Sequence, residues 1–158
     1  MKKGADFMQF LPFKTEDYGT MYEFMRPLWL ESYGNILPKE QIFFLLDKYF
    51  SKDGIAHYRA LGYQYRKIDD CGICVFVERE TDVYLDKLYL LPSARGKGYP
   101  QKVFAELQKI GKPITLNVNE ANTRALACYQ KNGFEIVRQE LIDLGNGMIN
   151  RDLILQKR

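Results

Sequence analysis

Apolar residues recur every three to four positions in the first part of the chain and every second position after Gly62, so helices precede most of a sheet. A short alternating run over Gln9–Phe13 predicts one strand ahead of them. Thr15, Glu16 and Asp17 then supply a helix start with acids in its first turn, and this helix runs to about Phe24 or beyond. Pro27 is expected to kink or break it, leaving LWLESYG as a second helical piece that ends at Gly34. Pro38 opens another helix, on which Ile42, Leu45, Leu46 and Tyr49 share a face that reads as core. Ser51–Leu61 predicts a further short helix.

Tyr63–Ile68 and Ile73–Glu78 predict strands joined by a turn at Asp69-Asp70-Cys71-Gly72, and Val83–Leu90 completes an antiparallel meander. Lys102–Ile110 predicts a helix closed by Gly111 and Pro113, Ile114–Asn119 a strand, and Asn122–Asn132 a helix ending at Gly133. Phe134–Ile142 and Met148–Gln156 form a last hairpin across Leu144-Gly145-Asn146-Gly147. The helix between Leu90 and Ile114 is a crossover, so the strands it joins run parallel within an otherwise antiparallel sheet. The fold class is therefore mixed, α+β.

Composition narrows the function without naming it. At 158 residues the chain reads as a single domain with a sizeable core, with residues 1–7 as an N-terminal tail and Met8 as an alternative start. A net charge of +3 without a basic run gives no argument for nucleic acid and points to small-molecule partners. No apolar window approaches the ~20 residues of a membrane span, and the first residues lack a signal-peptide core, so a cytoplasmic protein is expected. Three cysteines fit reduced thiols better than a disulfide framework. Cys71-Gly72-Ile73-Cys74 has the C-x-x-C form, but a strand rather than a helix follows it, and His57 is the only histidine. Two ordinary thiols and a surface or core histidine are expected there, and no metal.

The chemistry concentrates in two stretches. In DKLYLLPSARGKGYPQK, from Asp86 to Lys102, a strand gives way to a basic glycine turn and then to a helix start. Helix N-termini present unpartnered N–H groups with a partial positive charge, and glycines let the chain approach a ligand closely, so such a corner can cradle phosphate. Arg95 and Lys97 add cations. Alone, the turn is equally a solvated surface loop, and it is neither a Walker loop nor a dinucleotide fingerprint. The second stretch, NTRALACYQKNGF, places Asn122, Ala125 and Tyr129 on one helical stripe, with Asn122 where a polar cap belongs and Ala125 permitting close approach.

In this order, separated by one helix and one strand, the two stretches resemble the acetyl-coenzyme A and adjoining helix motifs of the GNAT superfamily of N-acetyltransferases. The resemblance in element order extends from Gln9 to the C-terminus. Pro100 departs from it, standing where glycine or alanine is usual and lacking an N–H. The resemblance implies a mostly antiparallel sheet of about seven strands, with one splayed parallel pair and about four flanking helices. It implies acetyl-coenzyme A as co-substrate. Backbone groups of Leu88, Tyr89 and Leu90 would line the pantetheine arm, and N–H groups of Gly96, Lys97, Gly98 and Tyr99, with Gln101 and the charge of Arg95, would hold the pyrophosphate. Asn122 and Ala125 would lie along the cofactor, and Tyr129 would point its hydroxyl at the sulfur.

An alkyl amine with a pKa near ~10.4 must lose a proton before attacking a thioester, and a phenol can protonate the departing thiolate. Tyr129 is thus the expected acid. Asp86, taken to share the strand face of Leu88, and Glu31 are the candidate bases, with a water chain as the alternative. Asn117 and Tyr84 occupy places where some relatives carry an acid. The resemblance also hints at a polyamine-like acceptor, which Glu31, Asp47 and Asp86 would attract, and it is compatible with a homodimer. A non-catalytic acetyl-coenzyme A sensor and a protein or peptide N-acetyltransferase are the competing functions.

Overall fold

The computed structural model describes residues 7–145 and 147–158. A seven-stranded sheet has the order β1-β2-β3-β4-β5-β7-β6, built from β1 (Phe10–Pro12), β2 (Tyr63–Ile68), β3 (Gly72–Glu78), β4 (Val83–Leu90), β5 (Ile114–Asn119), β6 (Glu135–Gly145) and β7 (Met148–Lys157). Among the described residues, only β4 and β5 pair in parallel, as the crossover required. The helices are α1 (Tyr18–Tyr33), α2 (Lys39–Phe50), α3 (Lys52–Ala60), α4 (Tyr99–Gln108) and α5 (Thr123–Lys131). The expected tail over residues 1–7 falls outside the described residues except for exposed Phe7, as does Asn146 of the last hairpin turn.

Each sheet face carries its own core. The face bearing α4 and α5 buries Cys74, Phe76, Leu85, Val103, Phe104, Leu116, Phe134 and Leu155; the face bearing α1, α2 and α3 buries Met21, Met25, Trp29, Ile42, Leu46, Phe50, Tyr65 and Val75. Ile42, Leu46 and Phe50 are fully buried, while Leu45 and Tyr49 lie at the edge of that core. No helix among the described residues is long and apolar enough to cross a membrane.

Three local readings change. Helix α1 continues through Pro27, where a kink or a break was expected, so it does not break there. An interior proline costs ~3 kcal/mol, but buried Met25, Leu28 and Trp29 straddle it and their packing offsets the loss. Helix α4 begins at Tyr99, ahead of the expected Lys102, because Gly98 takes a left-handed φ of 84° as its N-cap and Pro100 fits the first turn. Strand β6 runs on to Gly145, past the expected Ile142.

The cysteines are free; Cys74 is fully buried on β3, and burial pushes its thiol pKa up. His57 is exposed on α3, its ring against Tyr58 at 5.2 Å.

Candidate active site

Strands β4 and β5 pair for only two residues, Val83 with Ile114 and Tyr84 with Thr115, and then diverge. The divergence begins where β4 bulges. Val75 pairs with Lys87 but Phe76 pairs with Leu85, leaving Asp86 as an extra residue in β4. Before the bulge, the Val83 N–H donates to Pro113 O at 2.8 Å, on the β5 side. After it, the Leu91 N–H donates to Cys71 O at 2.8 Å, on the β3 side. Antiparallel pairs alternate between bonded and non-bonded, so Leu88 and Leu90 fall in non-bonded pairs with Cys74 and Gly72 and turn their N–H and C=O groups into the gap. Tyr89 points its backbone groups to β3 instead. The bulge therefore opens a strand edge to which an extended, amide-bearing chain can add.

The bulge also corrects the expectation that Asp86 shares a face with Leu88. Leu88 packs toward α4 and α5, whereas the charge of Asp86 acts on the phenols of Tyr49, Tyr63, Tyr65 and Tyr84, which lie toward the other helices. Strict alternation fails once an extra residue is inserted.

At the far end of the gap, Gly96 and Gly98 take φ of 74° and 84°. Among the described residues, the N–H groups of Gly96, Lys97, Gly98, Tyr99 and Gln101 donate to no backbone or side-chain acceptor. Pro100 removes one donor from this row, yet the corner remains suited to an anion. A Cβ on Gly96 would meet nothing within 4 Å, so conformation rather than space calls for glycine there. The Tyr99 side chain faces away from this row: its hydroxyl donates to Asp69 Oδ2 at 2.9 Å, and Asp69 Oδ1 accepts from the Gln9 N–H at 2.7 Å. Asp69 itself sits at φ 45°, tying the β2–β3 turn to the start of α4.

Helix α5 follows β5 and packs Ala125, Leu126 and Tyr129 against the core on the α4 face of the sheet. Its N-cap is Asn122, whose Oδ1 accepts from the Ala125 N–H at 3.2 Å, so that side chain is engaged in the cap. Tyr129 packs between Phe104 and Phe134, with ring centroids 6.1 and 5.5 Å away. Its hydroxyl nevertheless interacts electrostatically with Tyr33 and Tyr89, which belong to the α1–α3 face. Burial pushes the Tyr129 phenol up to about 12, so it stays protonated at neutral pH.

The gap's other wall is aromatic. The hydroxyls of Tyr33 and Tyr89 hydrogen-bond at 3.1 Å, and Trp29 contacts both rings, with centroids 5.5 and 6.0 Å away. The Tyr84 hydroxyl donates to Asn117 Oδ1 at 3.0 Å, and Asn117 Nδ2 donates to buried Asp152 at 3.1 Å, so the two places that hold an acid in some relatives here bond to each other. Glu31 is 58% exposed and lies 4.0 Å from Arg95, beside the glycine corner. Lys87, which the sequence did not single out, bonds Asp86 at 2.7 Å. Its adjacency to Asp86 at a strand position was the available signal, but the bulge that gives both side chains to one face is not written in residue types.

A family model described as the acetyltransferase (GNAT) family matches residues 21–134. The peptidyl-lysine N-acetyltransferase YjaB of Salmonella typhimurium is 36% identical over 66 residues, which is 41% of this chain and 46% of YjaB, so the match spans less than half of that protein. The PaiA N-acetyltransferase of Thermoplasma acidophilum, solved in complex with coenzyme A, superposes with a TM-score of 0.74 at 21% identity, covering 96% of this chain and 98% of that one. A dodecameric spermidine N-acetyltransferase of Vibrio cholerae gives 0.63 at 15% identity over 94% and 92% of the two chains. With the family match extending over most of its length, the chain belongs to the acetyltransferase (GNAT) family.

Proposed function

We propose that the protein transfers acetyl from acetyl-coenzyme A to the primary amine of a small molecule by direct attack. The observation that carries this reading is the splayed gap itself, with Leu88 and Leu90 donors turned into one side and the Tyr129 hydroxyl reaching in from the other. Acetyl-coenzyme A would supply the activated thioester. Leu88 and Leu90 would hold the pantetheine arm beside Tyr89. Gly96, Lys97, Gly98, Tyr99 and Gln101 would hold the pyrophosphate through main-chain N–H groups, with Arg95 adding charge and Glu31 steadying Arg95. Ala125 leaves room along α5 for the arm, and Asn122 acts by fixing the start of that helix.

Attack by a neutral amine builds negative charge on the carbonyl oxygen, which the Leu88 N–H is placed to stabilise. The Tyr129 hydroxyl donates toward the departing sulfur. Asp86 receives the amine proton, directly or through a water chain. Its place on the bulge, toward the aromatic wall, favours it over Glu31 at the cofactor corner. The second reading is transfer to a lysine of a protein, the activity that YjaB is named for.

The test is thiol release from acetyl-coenzyme A in the presence of small primary amines and lysine peptides. Release with at least one small amine, and its loss in Tyr129→Phe, is expected. Turnover of peptides alone would establish the second reading. Tight coenzyme A binding with no release by either class would make the protein a sensor and overturn the proposal.

A further inference from the structure

The β1 side of the sheet is also open, at the end away from the glycine corner. The registers set the two ends apart: Ile68, Gly72 and Leu90 lie side by side where β4 feeds the corner, whereas Tyr63, Val77 and Tyr84 lie at the other end. Strand β1 stops at Pro12, opposite Arg66, and one further bond follows, from the Phe13 N–H to Tyr65 O at 3.0 Å. Bonding direction alternates along a strand, so Tyr63 turns its N–H and C=O the same way as Tyr65, past the end of β1.

A cavity of about 290 Å³ occupies this edge, lined by Pro12, by Arg59 near the end of α3 and by residues 62–66. Among the described residues, its lining contains two guanidinium groups and no carboxylate. Each arginine is held in place without an acid. Arg59 lies 5.9 Å from the Tyr18 ring centroid, and its Nη1 donates to the Tyr18 hydroxyl and, at 3.5 Å, to Phe13 O. Arg66 lies 5.8 Å from the Phe10 centroid, and its Nη2 donates to Gln64 Oε1 at 2.7 Å. Arg79, Arg95 and Arg138 each have a carboxylate partner; among the described residues Arg59 and Arg66 have none.

The Arg66 Nε is buried and has no hydrogen-bond partner among the described residues. Leaving a buried donor of a charged group unpaired is costly, and an anion that accepts from it removes the cost. Two like charges on one cavity also repel each other, which a bound anion relieves.

We propose that this cavity is an anion site, in which Arg59 and Arg66 grip the oxyanion of a small molecule, a carboxylate or a phosphate, with the Tyr63 N–H as a main-chain donor. The planar donors of a guanidinium match two oxygens of such a group. The site lies apart from the β4–β5 gap, and the inference does not depend on what that gap binds.

The test follows amide signals of the isotope-labelled full chain by NMR while inorganic phosphate, and separately acetate, replaces chloride at constant ionic strength. Saturable shifts of Gly62, Tyr63 and Gln64 at millimolar concentrations are expected with at least one of the two, and the Arg66 Nε–H signal should move with them. Saturation by phosphate alone marks a phosphate-bearing ligand, and saturation by acetate a carboxylate-bearing one. Arg66→Gln should weaken the affinity by about tenfold or more, and Arg59→Gln, a change at an exposed position, by about three- to tenfold. If Arg66→Gln does not fold, Arg59→Gln decides alone. Shifts that stay linear to about 50 mM, that are confined to Gly96, Lys97, Gly98 and Tyr99, or that saturate equally in wild type and variants overturn the inference.

Discussion

The two walls of the β4–β5 gap are made of different material. On the proposed cofactor side, the groups that would face a ligand are main-chain N–H donors, set by the bulge at Asp86 and by positive φ at Gly96 and Gly98. On the proposed acceptor side they are side chains drawn from α1, α2 and β4, among them Trp29, Tyr33, Tyr49, Tyr89 and the Asp86–Lys87 pair. A main-chain site keeps its geometry through side-chain substitution, so one cofactor can be held by many sequences. A side-chain wall changes with each substitution, so the acceptor can vary. Tyr129 crosses between the two, rooted among Phe104 and Phe134 and reaching toward Tyr33 and Tyr89.

Removing the crossing residue should have the largest effect. Tyr129→Phe keeps the ring packing and deletes the donor, so kcat should fall by about 10²- to 10⁴-fold, as for other positioned acids, while coenzyme A affinity changes little. Because burial holds the phenol near 12, its proton is retained well past the range where the acceptor amine is freed. Wild-type turnover should therefore climb with pH toward about 10 without an alkaline fall due to Tyr129, and the variant should show the same profile at lower height. An alkaline limb present in the wild type and absent from Tyr129→Phe would break this assignment.

Next comes the corner that shapes the main-chain wall. Gly98 holds φ 84° as the N-cap of α4, where a Cβ costs about 1–2 kcal/mol. Gly98→Ala should weaken coenzyme A binding by about tenfold, read by calorimetry, with a smaller change in kcat for bound substrate. A loss in kcat alone would mean that the corner is not where the diphosphate sits.

The same contrast explains what could be read from sequence. Strand order, the parallel pair and the glycine corner are local or nearly local: alternation, a crossover helix and two glycines before a helix start suffice to predict them. The Asp86 bulge is not local, because it depends on how β3 and β4 register, and nothing in VYLDKLYL marks one residue as extra. Assigning Asp86 to the face of Leu88 followed from that gap in knowledge, and Lys87 was overlooked for the same reason. Pro27 misled differently, since a local rule against proline in helices yielded to the packing of Met25, Leu28 and Trp29. Glu31 pointed to the acceptor side by its helix and is found beside Arg95 because α1 runs on unbroken to Tyr33.

Pro100 offers a change in the favourable direction. Alanine there would restore an N–H in the first turn of α4, adjacent to the free donors of Tyr99 and Gln101. A hydrogen bond to a charged phosphate is worth about 1.5–3 kcal/mol, reduced by about 0.4–1 kcal/mol for the lost rigidity of proline. Pro100→Ala should tighten coenzyme A binding by about tenfold, the middle of that range. An unchanged affinity would show that the phosphates do not extend to this position, and would restrict the main-chain wall to Gly96, Lys97, Gly98 and Tyr99.

The smallest effect separates scaffold from site. Tyr99 contributes its N–H to the corner, but its hydroxyl bonds Asp69 on the far side, at 2.9 Å. Tyr99→Phe leaves the N–H and the ring in place and deletes one hydrogen bond to a carboxylate that still accepts from the Gln9 N–H. Such a bond contributes about 1 kcal/mol, which in a domain of this size lowers Tm by roughly 2–4 °C. Coenzyme A affinity should weaken by less than about threefold, because the main-chain donors are held chiefly by the glycine conformations rather than by this anchor. A loss of affinity comparable to that of Gly98→Ala, at the same small cost in Tm, would mean that the β2–β3 turn positions the corner through Asp69, and that the main-chain wall depends on a distant side chain after all.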